Sequence, residues 1–136
     1  MSGETDIRKL LASMSPELQP EVFVFATLPP GAPCPGGIDP VLTFREREGM
    51  TLVLTVKEAR AVGLTDLATA FPCRMITLNI HSSLEAVGFL AAITARLARA
   101  GMGVNPVSAF YHDHLFVPAD RADEALALLR GLAAED

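Results

Sequence analysis

An α+β fold of two small modules, with helices packed on one face of an antiparallel sheet, is the architecture this sequence predicts. Three observations carry it. Short β-branched runs are punctuated by Gly and Pro, and helical stripes of apolar residues stand between them. The order of elements then reads α-β-β-β-α followed by β-α-β-β-α, in which hairpins alternate with crossover helices. A boundary near Ala68 to Pro72 divides the chain into a first module over 1–70 and a second over 71–136.

In the first module, Asp6 to Met14 places Ile7, Leu10, Leu11 and Met14 on one helical face, and Pro16 and Pro20 are expected to stop that helix. Val22 to Leu28 is a continuous β-branched and aromatic run, as in a buried strand. The Pro- and Gly-rich stretch from Pro29 to Gly37 cannot hold regular structure, because Pro lacks the N–H and Gly has a permissive backbone. Val41 to Glu46 and Met50 to Val56 read as a hairpin around Arg47-Glu48-Gly49. Its charge run from Arg45 to Glu48 is self-neutralising. A short helix from Lys57 to Val62 ends at Gly63.

The second module opens with a strand from Arg74 to Ile80. Ser82-Ser83-Leu84-Glu85 has the spacing of a capping box and is expected to start a helix carrying Ala86, Leu90, Ile93, Leu97 and Ala100, with Gly101 at its end. Val104 to Tyr111 and Leu115 to Val117 read as strands around a tip at His112-Asp113-His114. Asp120 is expected to cap a last helix with an Ala122, Ala125, Leu126, Leu129, Leu132, Ala133 stripe. This half is a β-α-β-β-α-β unit lacking its last strand. A strand lent by the first half would complete it and interlock the modules.

Composition excludes several functions. Half of the residues are apolar, and a chain of this length buries roughly two-thirds of its unfolded surface. The net charge is −5 with only 11 Lys and Arg, and no basic stripe forms on any element, which argues against nucleic acid. Cys34 and Cys73 are far apart with no C-x-x-C or H-x-x-x-H pair, as in reduced thiols of a cytoplasmic protein. The acidic start from Met1 to Asp6 is the reverse of a signal peptide, and the apolar stretch from Ala86 to Ile93 is too short to cross a bilayer. No phosphate-binding, dinucleotide, G-x-S-x-G or H-E-x-x-H motif is present, so neither an enzyme nor a cofactor is expected.

Two segments could hold a small molecule. From His81 to Gly88 a strand runs into a capped helix, where free backbone N–H groups favour an anionic group such as a carboxylate. Ser82, Ser83 and Leu84 supply those groups, with Val87 nearby. Gly88, placed inside a helix, costs about 1 kcal/mol against Ala and marks a close approach by a neighbouring element or a ligand. From Ser108 to His114, Asp113 offers an acceptor for an ammonium and Phe110 an apolar wall. Set against this, Ser82 and Glu85 can serve their own helix and Asp113 its own turn. His81, His112 and His114 together would also provide three nitrogens for a transition metal.

The stretches from Leu10 to Pro16, Thr43 to Glu46, Thr51 to Leu54, His81 to Gly88 and Tyr111 to His114 give the chain a resemblance to an uncharacterised bacterial family of short tandem ACT-domain proteins. The second half is also similar to the ACT modules of cytosolic arginine sensors, through Ser108-x-Phe110-x-x-Asp113-His114-x-x-Val117-Pro118. In those sensors a helix-start serine and a hairpin-end aspartate help hold the amino acid. By position they match Ser82 or Ser83 and Asp113. The resemblance implies ferredoxin-like βαββαβ modules, regulatory ligand binding between modules, and dimerisation through sheet or helix edges. The expectation is a homodimeric amino-acid sensor without catalytic activity. The alternatives are a structural or interaction module without ligand, and a metal-binding protein.

Overall fold

The computed structural model describes residues 6–64, 71–80 and 88–134. Its elements are α1 (Ile7–Ser13), β1 (Pro16–Leu28), β2 (Leu42–Glu46), β3 (Gly49–Thr55), α2 (Val56–Ala61), β4 (Cys73–Leu78), α3 (Phe89–Arg99), β5 (Asn105–Ser108), β6 (Asp113–Pro118) and α4 (Ala122–Ala133). A 3₁₀ turn over Ala119–Arg121 leads into α4. The chain forms two compact units, one of Met1–Pro20 with Arg74–Asp136 and one of Glu21–Cys73.

In the first of these units the strands lie in the order β1-β4-β6-β5. If β4, β5 and β6 are the first three strands of a βαββαβ unit, the place of its fourth is beside β4. The Pro16–Pro20 end of β1 fills it. One core joins Ile76 and Leu78 of β4, Leu115 and Val117 of β6, Phe89, Ile93 and Leu97 of α3, and Ala122, Ala125 and Leu129 of α4. Leu10 and Met14 extend it, so α1 packs with the C-terminal half of the sequence. The spacings of three and four in α3 and α4 put their apolar residues on a single face each, as the sequence pattern requires. Burying each Leu or Ile contributes about 1.5–3 kcal/mol.

The end of α3 is closed by backbone geometry. Gly101 takes φ +73°, the Met102 N–H donates to the Leu97 carbonyl at 3.2 Å, and the Gly101 N–H donates to that of Ala98 at 2.9 Å. Only glycine adopts that left-handed φ without cost. The Arg121 guanidinium donates to the carbonyls of Ala100 and Gly101 at 2.9 and 3.2 Å, tying the 3₁₀ turn to the helix end.

In the second unit the order is β2-β3-β1, and both pairs are antiparallel. The pairs Val24↔Leu54, Ala26↔Leu52 and Leu28↔Met50 put one face of the sheet into a core closed by Ala59 of α2. Thr55 and Glu58 form a capping box at α2, with the Glu58 N–H donating to Thr55 Oγ1 at 3.1 Å and the Thr55 N–H donating to Glu58 Oε1 at 3.1 Å. At the β2–β3 turn, a Cβ on Gly49 would collide with the Leu28 carbonyl, which fixes glycine there. The Arg47–Glu48 pair at this turn is 3.7 Å apart with side chains 93% and 75% exposed. Ion pairs so solvated contribute little.

Four local expectations are corrected. Pro16 and Pro20 lie within β1 rather than in a break after α1. The ladder with β3 begins at Phe23, so neither proline is asked to donate to it. Asp120 belongs to the 3₁₀ turn, and α4 starts after Arg121 with no side-chain cap. Gly88 is the N-cap of α3, not an interior helical residue. Finally, His112-Asp113-His114 is not the tip of the β5–β6 hairpin, as the site geometry makes clear.

Candidate functional site

The candidate site lies at the end of β4, where the start of α3 and the β5–β6 hairpin belong to the same unit. The hairpin pairs Val107↔His114 and Ser108↔Asp113. The Ala109 N–H then donates to the His112 carbonyl at 3.0 Å, leaving Phe110 and Tyr111 as the tip. Both tip rings are 65% exposed and pack edge to face, with centroids 5.0 Å apart and planes at 75°. Asp113 is therefore the first residue of β6 and is buried, only 8% exposed. Strand alternation sets it on the same face as Leu115 and Val117, which line the helix-covered core.

Beside the sheet pairing of β6 with β4, two side-chain contacts join the hairpin to β4 and to Ile80 just beyond it. His112 Nδ1 lies 3.3 Å from the Ile80 carbonyl, which can only accept, so Nδ1 carries the proton there. His114 Nδ1 and Thr77 Oγ1 lie 3.1 Å apart, and Thr77 Oγ1 accepts from Gln19 Nε2 at 3.2 Å. The His112 and His114 rings are 6.4 Å apart. Burial holds the His114 imidazole below its ordinary titration range. The neighbouring His112 pushes it the same way, and Asp113 opposes them.

At the other side of the site, Gly88 takes φ +88° and no side chain caps α3. Its carbonyl accepts the first helical hydrogen bond, from the Ala92 N–H at 3.0 Å. A Cβ added to Gly88 would lie 3.2 Å from Ile7 Cδ1, so the close approach expected at this glycine is made by α1.

Of the residues singled out from sequence, Gly88, Phe110, Asp113, His112 and His114 are described. His81, Ser82, Ser83, Leu84, Glu85 and Val87 lie outside the described residues, and with them the expected capping box. Asp113 and Phe110 are not equivalent: the carboxylate is enclosed, while the Phe110 ring stands at the tip against Tyr111. Among the described residues there is no group of three or more His, Cys, Asp or Glu side chains able to hold a metal. The partnership of Gln19, Thr77 and His114 was not legible in advance, because it joins three strands far apart in sequence. Among the described residues, no helix is long and apolar enough to cross a membrane.

The β1-β4-β6-β5 order with α3 and α4 against one core defines a ferredoxin-like α+β module. The chain belongs to the ACT-domain family: two ACT-domain models match it in tandem, over residues 2–74 and 70–131. Among solved structures it is similar to a protein of unknown function from Vibrio cholerae, described as a possible transport protein. The two share 40% identity over 97% of this chain and 99% of the other, with a TM-score of 0.82. A protein from Agrobacterium tumefaciens is 17% identical over 88% of this chain and 89% of its own, with a TM-score of 0.72. The ligand-free regulatory subunit of aspartate kinase from Thermus thermophilus is 14% identical over 91% and 98%, with a TM-score of 0.65. These last two likenesses concern the fold alone. No curated protein matches the chain.

Proposed function

We propose that this protein is a regulatory sensor that binds a small molecule, an amino acid, and has no catalytic activity of its own. Its tandem ACT domains support a regulatory role, since such domains regulate rather than catalyse. The likeness in fold to a regulatory subunit of aspartate kinase points the same way. The observation that carries the site is the enclosed carboxylate of Asp113, held at the start of β6 in the unit that also contains the start of α3. A carboxylate in that position suits a ligand ammonium through charge-assisted hydrogen bonds. In this proposal the ligand carboxylate meets the backbone N–H groups of Ser82, Ser83 and Leu84, and the ligand side chain rests against Val87 and Phe110. Phe110 covers the ligand side chain only if the tip folds inward on binding.

In this reading the functional modules divide near residue 70, following the family matches at 2–74 and 70–131. The protein acts in the cytoplasm as a homodimer, with the outermost strands β2 or β5 as contact surfaces. A thermal-shift screen against the twenty amino acids tests the proposal. A ligand at 100 times its dissociation constant stabilises the fold by about 2.7 kcal/mol. A flat response to every amino acid would reject it in favour of a module that only interacts with other proteins.

A further inference from the structure

His112 and His114 form an H-x-H pair at the start of β6, and alternation along an extended chain sets both on one face of the sheet. Asp113, between them, lies on the opposite, helix-covered face with Leu115 and Val117. The two imidazole rings are 6.4 Å apart, centroid to centroid, with their planes at 78°.

Each ring is anchored through one nitrogen only. His112 Nδ1 donates to the Ile80 carbonyl at 3.3 Å. His114 Nδ1 is 3.1 Å from Thr77 Oγ1, and that oxygen has lone pairs enough to accept from His114 Nδ1 as well as from Gln19 Nε2. A neutral imidazole protonated at Nδ1 carries its lone pair on Nε2, on the far side of the ring. Among the described residues, neither Nε2 has a hydrogen-bond partner. One nitrogen held by a carbonyl or hydroxyl, with the other left as a donor of electrons, is the arrangement that orients histidines on metal ions.

We propose that His112 and His114 together bind a divalent transition-metal ion of the zinc or copper class through their Nε2 atoms, on the sheet face opposite Asp113. Imidazole nitrogen selects such ions over magnesium and calcium, which take oxygen ligands. Two Nε2 atoms at about 2.0–2.1 Å from one ion bring their ring centroids to about 5–6 Å, so the rings close slightly from 6.4 Å. Modest side-chain rotations supply that movement. Two protein ligands are fewer than the four of a structural zinc site, so water completes the coordination and the ion stays exchangeable. Burial and the neighbouring His112 hold the His114 imidazole below its ordinary titration range, and the neutral ring is the form that ligates. Bound there, the ion ties residue 112 to residue 114 and steadies the backbone on both sides of Asp113 without touching its carboxylate. Metal binding is thus independent of whether an amino acid binds at Asp113.

Calorimetric titration of the full chain with zinc chloride at neutral pH, with no amino acid present, tests the site. One ion should bind per chain, saturably. His112→Gln and His114→Gln should each weaken binding by about tenfold or more, with melting curves to show that both variants are folded. Copper(II) gives an independent reading on the native chain, where its electron paramagnetic resonance spectrum should carry the splitting of at least two imidazole nitrogens. Absence of saturable zinc binding by the native chain would overturn the site. So would full affinity in either folded variant, or a copper spectrum with fewer than two nitrogens.

Discussion

Replacing Gly88 by Ala should destabilise the protein, and the sign of that change is informative. Gly88 sits at the start of α3 with φ +88°. An L-residue held in the left-handed region costs roughly 1–2 kcal/mol. The added Cβ would also stand 3.2 Å from Ile7 Cδ1, a tight contact that the end of a flexible side chain can relieve by a small shift. The expected loss is therefore about 1–2 kcal/mol, set mainly by the backbone. Equilibrium urea unfolding, followed by circular dichroism at matched slopes, reads it as a lowered midpoint. If Gly88 stood inside a regular helix, Ala would instead gain about 1 kcal/mol. A stabilised Gly88→Ala would thus refute the placement of the α3 start.

Truncating the core at Leu97, fully buried on α3, should cost about 2–5 kcal/mol as Leu97→Ala in the same unfolding assay. Thr55→Ala removes the capping box of α2 and should cost about 1 kcal/mol. Glu58 has its carboxyl held below the usual range, first by the backbone N–H of Asp39 and then by that of Thr55. Its contribution is therefore complete above the unfolded value of 4.5 and lost as pH falls through the lower folded value. Glu58→Gln should flatten that acid limb of the stability curve. Cys34 is exposed, whereas burial pushes the Cys73 thiol up to about 12, so a thiol reagent at neutral pH should label Cys34 at once and Cys73 only on unfolding.

The strands were legible where β-branched runs meet turn residues, as at β3 and β6, because burial on a pleated sheet demands that pattern. The stripes of α3 and α4 were legible for the same reason at helical period. The start of β1 was not, because Pro16 and Pro20 read as breakers until pairing on only one side of the strand is known. The capping box of α2 at Thr55 and Glu58 has the same spacing as Ser82 and Glu85, so the sequence pattern alone could have marked it. At the site, Asp113 could be chosen by its chemistry, but not its burial, since a one-residue change in where the hairpin turns exchanges a tip for a strand face. The His114–Thr77–Gln19 chain depends on strand neighbours that no local signal encodes.

In the proposed function an amino acid is held through Asp113 at the end of β4. Calorimetric titration of the native chain and of Asp113→Asn, with the amino acid that gives the largest thermal shift, tests it most directly. Asn preserves the shape of the enclosed side chain and removes its charge, so melting curves of the two proteins control for stability. Binding to the native chain should be saturable and weakened in Asp113→Asn by about 1.5–3 kcal/mol, the worth of a hydrogen bond to a charged group. Undiminished affinity in a folded Asp113→Asn would contradict it and move the site away from β6.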